Sequence, residues 1–175
     1  STHKRTWYDG RGIWVYSFLY NHFRKDPEYL AIASKTVDLV LKTKSDEKEY
    51  WPWSYSKTGK DLEEHWPDIY GNLFVAEGLS EFALAIGDWS YWDKAKTILL
   101  DCVTIYDRED YFYVMDDGPD TTGTQGPRIL GHWMIMLRLA TGMLKAKEDP
   151  EIEALADRCV DMLINKHHNS HFNLL

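Results

Sequence analysis

Apolar residues recur along this chain in two kinds of helical pattern that alternate. The first kind is amphipathic. Asp26-Pro-Glu-Tyr29, Asp88-Trp-Ser-Tyr91 and Asp149-Pro-Glu-Ile152 each open one, and the openings lie roughly sixty residues apart. Stacked on those openings, Ala33, Ala95 and Ala156 align, then Val37, Leu99 and Val160, then Val40, Cys102 and Leu163. Steps of three and four residues predict one apolar stripe per helix, with Lys35, Asp38, Lys94, Lys96, Asp157 and Asp161 elsewhere on the surface. An Asp just ahead of the first turn is a sound N-cap, since its carboxylate accepts from orphaned N–H groups, and a following Pro suits the first helical position.

The second kind precedes each of these and covers nearly the whole helical circumference with apolar side chains. It spans roughly Ile13–Phe23, Ile69–Ile86 and Ile129–Lys147. A helix apolar all round is expected to be buried. Each repeat therefore predicts a hairpin of one inner and one outer helix, at about 10–43, 68–106 and 129–168. Inner-to-outer turns are brief (Arg24-Lys25, Gly87, Lys147-Glu148), whereas the returns, Thr43–Asp68 and Asp107–Arg128, are long. Alternation places both long connections at one end, and long loops gathered on one face usually carry function. The first holds Trp51-Pro-Trp-Ser-Tyr55, a hairpin turn at Lys57-Thr-Gly-Lys60, then His65 and Trp66. The second predicts a strand at Tyr111-Phe-Tyr-Val-Met115, followed by Asp116-Asp-Gly-Pro and a Gly/Thr-rich tether.

The expected fold class is all-α: an (α/α) toroid of helical hairpins forming a single domain over residues 1–175. A closed ring of six such hairpins needs about 370 residues, so three hairpins amount to half of an (α/α)6 barrel. The expectation is a fragment of a longer protein, its open flanks covered by the rest of that chain or by a dimer partner.

Composition changes this picture in three ways. The formal net charge of −8 argues against nucleic acid and anionic membrane as partners, because both demand clustered Lys and Arg. The longest apolar stretch, around Ile129–Leu137, is far short of the ~20 residues that span a bilayer. Two cysteines cannot build a disulfide framework or a zinc site, and Cys102 and Cys159 fall on the apolar stripes as expected buried thiols. Eight Trp and eleven Tyr suit a large core or a sugar-stacking cleft equally. No secretory signal opens the sequence, whose first residues read as clipped; the cytoplasm is the favoured compartment.

The elements Trp7-Tyr-Asp-Gly-Arg-Gly-Ile-Trp14, Tyr70-Gly-Asn-Leu-Phe74 with Glu77, and Gly131-His-Trp-Met134 resemble the N-acylglucosamine 2-epimerase family, which also includes mannose and aldose–ketose isomerases and cellobiose 2-epimerase. The resemblance runs along nearly the whole chain, corresponds to the amino-terminal half of the family's (α/α)6 barrel, and is most specific at Gly-Arg-x-x-Trp. It implies a sugar epimerase or isomerase that moves a proton at the carbon beside the carbonyl, with a small sugar as substrate and no redox cofactor or metal. Two histidines in the family's second half typically act as acid and base, so it implies that this chain alone is inactive.

The resemblance makes Trp7 and Arg11 the substrate-contacting pair; an Arg beside a ring-opened sugar can donate two hydrogen bonds to an oxygen gaining charge. The alternative is an Arg11 paired with Asp9 or Glu77. Tyr70 and Asn72 are candidates for hydroxyl recognition, and Trp53 and Trp66 for the walls of a sugar cleft, each with a structural alternative in the core or as seals. His132 is the catalytic candidate on the third inner helix, with a pKa suited to proton transfer, though a lone His on an apolar helix is also a common satisfied core residue. His65 with Asp68, and His167, His168 and His171, carry only a weak metal signal, and no metal is expected. Two other readings remain open: a glycoside hydrolase using Asp68 or Asp116-Asp117 as carboxylates, and a non-catalytic carbohydrate-binding helical module.

Overall fold

Three aspartates begin three helices, and the reason is visible at the first turn of each. A computed structural model describes residues 3–60, 68–113, 124–125 and 129–172. Asp26 accepts from the Glu28 N–H at 3.0 Å, Asp88 from Ser90 at 2.9 Å, and Asp149 from Glu151 and Ile152 at 3.1 and 3.2 Å. The elements run strand β1 (His3–Arg5), helices α1 (Thr6–His22) and α2 (Pro27–Thr43), strand β2 (Ser54–Ser56), helices α3 (Tyr70–Ile86) and α4 (Trp89–Tyr106), strands β3 (Phe112–Tyr113) and β4 (Thr124–Gln125), and helices α5 (Leu130–Ala146) and α6 (Pro150–Met162). A π-helical turn, Leu163–His167, continues α6. Gly87 ends α3 in the left-handed conformation (φ 73°), its N–H bonding to the Ala83 carbonyl at 2.9 Å, which turns the chain into α4.

The chain divides into two compact units, Ser1–Cys102 and Val103–Leu175, with the boundary inside α4. In the first, α3 is buried almost throughout, from Asn72 to Ala83, and α2 and α4 turn inward Ala33, Val37 and Val40, and Trp92, Ala95, Leu99 and Cys102. In the second, α5 buries Trp133, Met136, Leu139 and Met143 beside Ile152, Leu155 and Cys159 of α6. Both cysteines are free and buried, as their stripe positions predict. Burial pushes both thiols up, that of Cys159 to about 12, so neither is a thiolate near neutral pH.

Four features differ from the sequence expectation. Helix α1 starts at Thr6, not near Ile13: glycines at 10 and 12 are poor helix formers on their own, but Gly10 sits where the backbone of α3 leaves no room for a side chain. It is also two-faced: Thr6, Gly10, Ile13 and Ser17 are buried, while Tyr8, Val15 and Phe23 are exposed and Trp14 stacks on Phe18 at 4.8 Å. On α6 the inward stripe is Ile152, Leu155 and Cys159; Ala156 is half-buried and Val160 is 41% exposed, so aligning the repeats on their Asp caps misplaces this helix's stripe. The segment before α1 also adds a strand: His3, Lys4 and Arg5 pair antiparallel with Ser56, Tyr55 and Ser54. The expected turn at 57–60 does form, with Gly59 at φ 86°. Of the expected strand at 111–115, Phe112 and Tyr113 pair with Gln125 and Thr124, and residues 114–115 lie outside the described ones.

Helices α1 and α3 meet backbone to backbone. A Cβ on Gly10 would lie 2.6 Å from the Phe74 carbonyl carbon and 2.8 Å from the Val75 nitrogen; one on Gly78 would lie 2.6 Å from the Gly10 oxygen. Backbone atoms cannot rotate aside as a side-chain tip can. Gly10→Ala and Gly78→Ala are each expected to cost about 1–3 kcal/mol, read as a lower urea midpoint. Gly12 has no heavy atom within 4 Å of its Cβ position, so Gly12→Ala is expected to gain about 0.5–1 kcal/mol by helix propensity.

The cap of α4 titrates. The Ser90 hydroxyl and N–H both donate to Asp88 and hold its carboxyl below the usual range. The folded state thus binds this proton less readily than the unfolded chain. The cap's contribution is whole above the usual carboxylate range and fades as pH falls through the depressed folded value. Wild type and Asp88→Asn are expected to converge in urea midpoint as the pH falls below the ordinary carboxylate range; a constant gap would show that the cap does not titrate with stability.

Candidate functional site

The first two turns of α1 are held from three sides. Thr6 gives its N–H to the Trp53 carbonyl at 3.3 Å and its hydroxyl to the Pro52 carbonyl. Asp9 accepts from Lys4 Nζ at 2.8 and 2.9 Å and from the Tyr55 hydroxyl at 2.5 Å. Burial, reinforced by Asp9, raises the Tyr55 hydroxyl well above the ordinary tyrosine range, so it remains a proton donor. Strand β1, helix α1 and strand β2 are therefore tied at one carboxylate. The same loop is tied to α3 by Asn72, whose Oδ1 accepts from the Trp51 N–H at 3.0 Å and whose Nδ2 donates to the Glu49 carbonyl at 2.9 Å. Trp51 closes the circuit by donating Nε1 to the Val40 carbonyl at 3.1 Å.

Arg11 projects from this braced turn. Its guanidinium lies 5.8 Å from the Trp7 ring centroid and 5.4 Å from that of Phe74. Tyr70 stacks on Phe74 at 6.3 Å and 20°, and Tyr8 stacks on Trp7 at 4.1 Å and 23°. The result is an aromatic shelf, Tyr8–Trp7–Phe74–Tyr70, with one cation over its middle. Neither suggested carboxylate takes that cation: Asp9 is engaged by Lys4 and Tyr55, and Glu77 is buried on α3. Among the described residues Arg11 has no hydrogen-bond or ion-pair partner, and Trp7 Nε1 is buried without an acceptor. A guanidinium held by ring faces keeps its five N–H donors for something else.

The structure thus brings Trp7, Arg11 and Tyr70 together around Phe74, a residue the sequence reading passed over although it follows Tyr70 by one helical turn. Asn72 is not part of this shelf; its amide is spent on the loop backbone. Trp53 does not stack into this shelf: it is half-buried, with the Arg5 guanidinium 5.3 Å over its ring, and lines the groove in front of β1 together with Tyr8. Trp66 and His65 lie outside the described residues, as do Asp116 and Asp117. Asp68 accepts from the Tyr70 N–H at 2.8 Å and so serves the start of α3.

His132 belongs to the second unit and has no exposed surface there. Its Nε2 lies 3.4 Å from the Tyr111 hydroxyl, and the Tyr106 ring meets it edge-on at 5.1 Å. Tyr106 in turn bonds both the N–H and the carbonyl of Ile129 at 3.2 Å. That setting is a packed corner at the start of α5.

In front of β1 lies an open groove of about 490 Å³, lined by His3, Lys4, Arg5, Tyr8, Asp9, Trp53 and Ser54. Among the described residues no group of three or more His, Cys, Asp or Glu is placed to hold a metal ion, and no helix is long and apolar enough to cross a membrane.

Comparison with known proteins bears on the fold first. No curated protein matches the chain in sequence. Among solved structures, cellobiose 2-epimerase from Bacillus thermoamylovorans B4167 superposes with a TM-score of 0.79 at 15% identity, over 97% of this chain and 46% of that one. Cellobiose 2-epimerase from Spirochaeta thermophila DSM 6192 does so with a TM-score of 0.75 at 17% identity, over 96% of this chain and 44% of that one. The chain spans less than half the length of either, and its fold is the expected one: helical hairpins making up part of an (α/α) barrel. A family model described as N-acylglucosamine 2-epimerase (GlcNAc 2-epimerase) matches residues 1–174, and by that match the chain belongs to this family.

Proposed function

We propose that the protein carrying this chain is a sugar epimerase or aldose–ketose isomerase, and that this chain supplies its substrate-positioning side through Arg11. Family membership supports the reaction class. The single observation that carries Arg11's part is its guanidinium, over the faces of Trp7 and Phe74 and with no carboxylate partner among the described residues.

The chemistry asks for such a group. In an open-chain sugar a base removes the proton from the carbon beside the carbonyl, and the electron pair moves onto the carbonyl oxygen. The resulting enediolate is rich in negative charge at one or two adjacent oxygens. Two parallel N–H donors on a delocalised cation match that oxygen pair better than a point charge does. Reprotonation on the opposite face gives the epimer; reprotonation at the neighbouring carbon gives the ketose. Trp7 and Phe74 keep the guanidinium in place without neutralising it, as an ion pair would. Tyr70 extends the floor on which the sugar's apolar face can rest. His132, packed between Tyr106 and Tyr111, takes no part in proton transfer here; the acid and base are supplied from elsewhere in the protein.

The test is isotopic. The full-length protein, incubated with candidate aldoses in D2O, is expected to incorporate solvent deuterium at C2 of an epimerised aldose, or at C1 of a ketose product. Turnover without deuterium would remove the proton-transfer mechanism. Arg11→Ala is expected to lower kcat/KM about a hundredfold or more while leaving the far-ultraviolet circular dichroism unchanged, because the side chain is exposed. Arg11→Lys is expected to restore only part of the loss, since the point charge lacks the fork.

A further inference from the structure

The groove in front of β1 holds a second cation with the same kind of freedom. We infer that it binds the acidic group of a sugar, a carboxylate or a phosphate, with Arg5 as the anion's partner. The sugar half of that inference rests on the function proposed above; the anion half rests on the groove alone.

The charge pattern points to an anion. Lys4 is compensated, its Nζ sitting 2.8 Å from Asp9. Arg5 is not: its guanidinium lies over the Trp53 ring at 5.3 Å, and among the described residues it has no hydrogen-bond or ion-pair partner. A chain with a net charge of −8 has many acidic side chains that could neutralise an exposed arginine, and none of those described does so. The dimensions fit as well. About 490 Å³ lies within the range of small-ligand sites, roughly 300–1,000 Å³.

The groove is also rigid before any ligand arrives. Arg5 sits in register with Ser54, Lys4 with Tyr55, and the Lys4–Asp9–Tyr55 cluster fastens this two-stranded sheet to α1. Little ordering cost is left for binding. A sugar ring finds its surface at Tyr8, which lines the groove at 56% exposure and stacks on Trp7 at 4.1 Å. Tyr8 is thus the wall shared by the groove and the Arg11 shelf.

The experiment is calorimetric titration of the full-length protein with glucuronate, glucose 6-phosphate and glucose, for the wild type, Arg5→Gln and Arg5→Lys. Both acidic sugars are expected to bind more tightly than glucose, and less tightly as salt is added. Arg5→Gln is expected to weaken both by at least about tenfold, the scale of a charge-assisted hydrogen bond. Arg5→Lys is expected to keep phosphate binding better than carboxylate binding, because only the fork grips a carboxylate through two bonds. Equal affinity for glucose and the acids, salt-independent binding, or unchanged affinity in Arg5→Gln would each overturn the inference. Arg11→Gln separates the two proposals. Unchanged turnover of the Arg11→Gln full-length protein with acid binding intact would remove Arg11's part and leave the groove standing by itself. Turnover that needs Arg11, beside acid binding indifferent to Arg5, removes the groove alone.

Discussion

Two glycines decide where everything else in the first unit can be. Because Gly10 and Gly78 carry no Cβ, the backbones of α1 and α3 touch, with the Gly10 carbonyl against one helix turn and the Phe74–Val75 peptide against the other. That separation is shorter than larger side chains allow, and it fixes the next residue, Arg11, relative to Phe74. The contact is geometric before it is energetic. Thr6, Ile13 and Ser17 line the same face and follow the register the glycines set.

Around that contact the polar groups divide their labour. Asp9 and Asn72 look like site residues on paper, a carboxylate and an amide beside an arginine and a tyrosine. In the structure each fastens the loop around Trp51 and Tyr55 to a different helix. Their consumption is what leaves the two arginines unneutralised. Had Asp9 turned toward Arg11, the chain would have gained one half-exposed ion pair, worth little, and lost a cation free for an incoming oxyanion.

Much of the architecture was legible in the sequence because it rests on local signals. Asp26, Asp88 and Asp149 start helices through hydrogen bonds within one turn, Gly87 stops one through a single positive φ, and the inward stripes of α2 and α4 follow from spacing alone. The failures share a non-local cause. Glycines at 10 and 12 argue against helix until a partner backbone is known to lie against the first of them. The stripe of α6 begins at Ile152, and no repeat alignment anchored on the cap can supply that phase. Strand β1 is three residues whose only reason to be a strand is β2, some fifty residues away. At the site, the Trp7–Arg11 pair was named by the family resemblance, whereas Phe74 and the fate of Asn72 depend on which loop lies over α3.

The backbone weld between α1 and α3 has an evolutionary corollary. Arg11 and Phe74 are positioned by main-chain atoms, so the loops that wall the site are free to drift in sequence without detuning the arginine. Lineages could then alter which ring or appendage fits beside Tyr8 while inheriting the same charged anchor, and selectivity would diverge faster than chemistry.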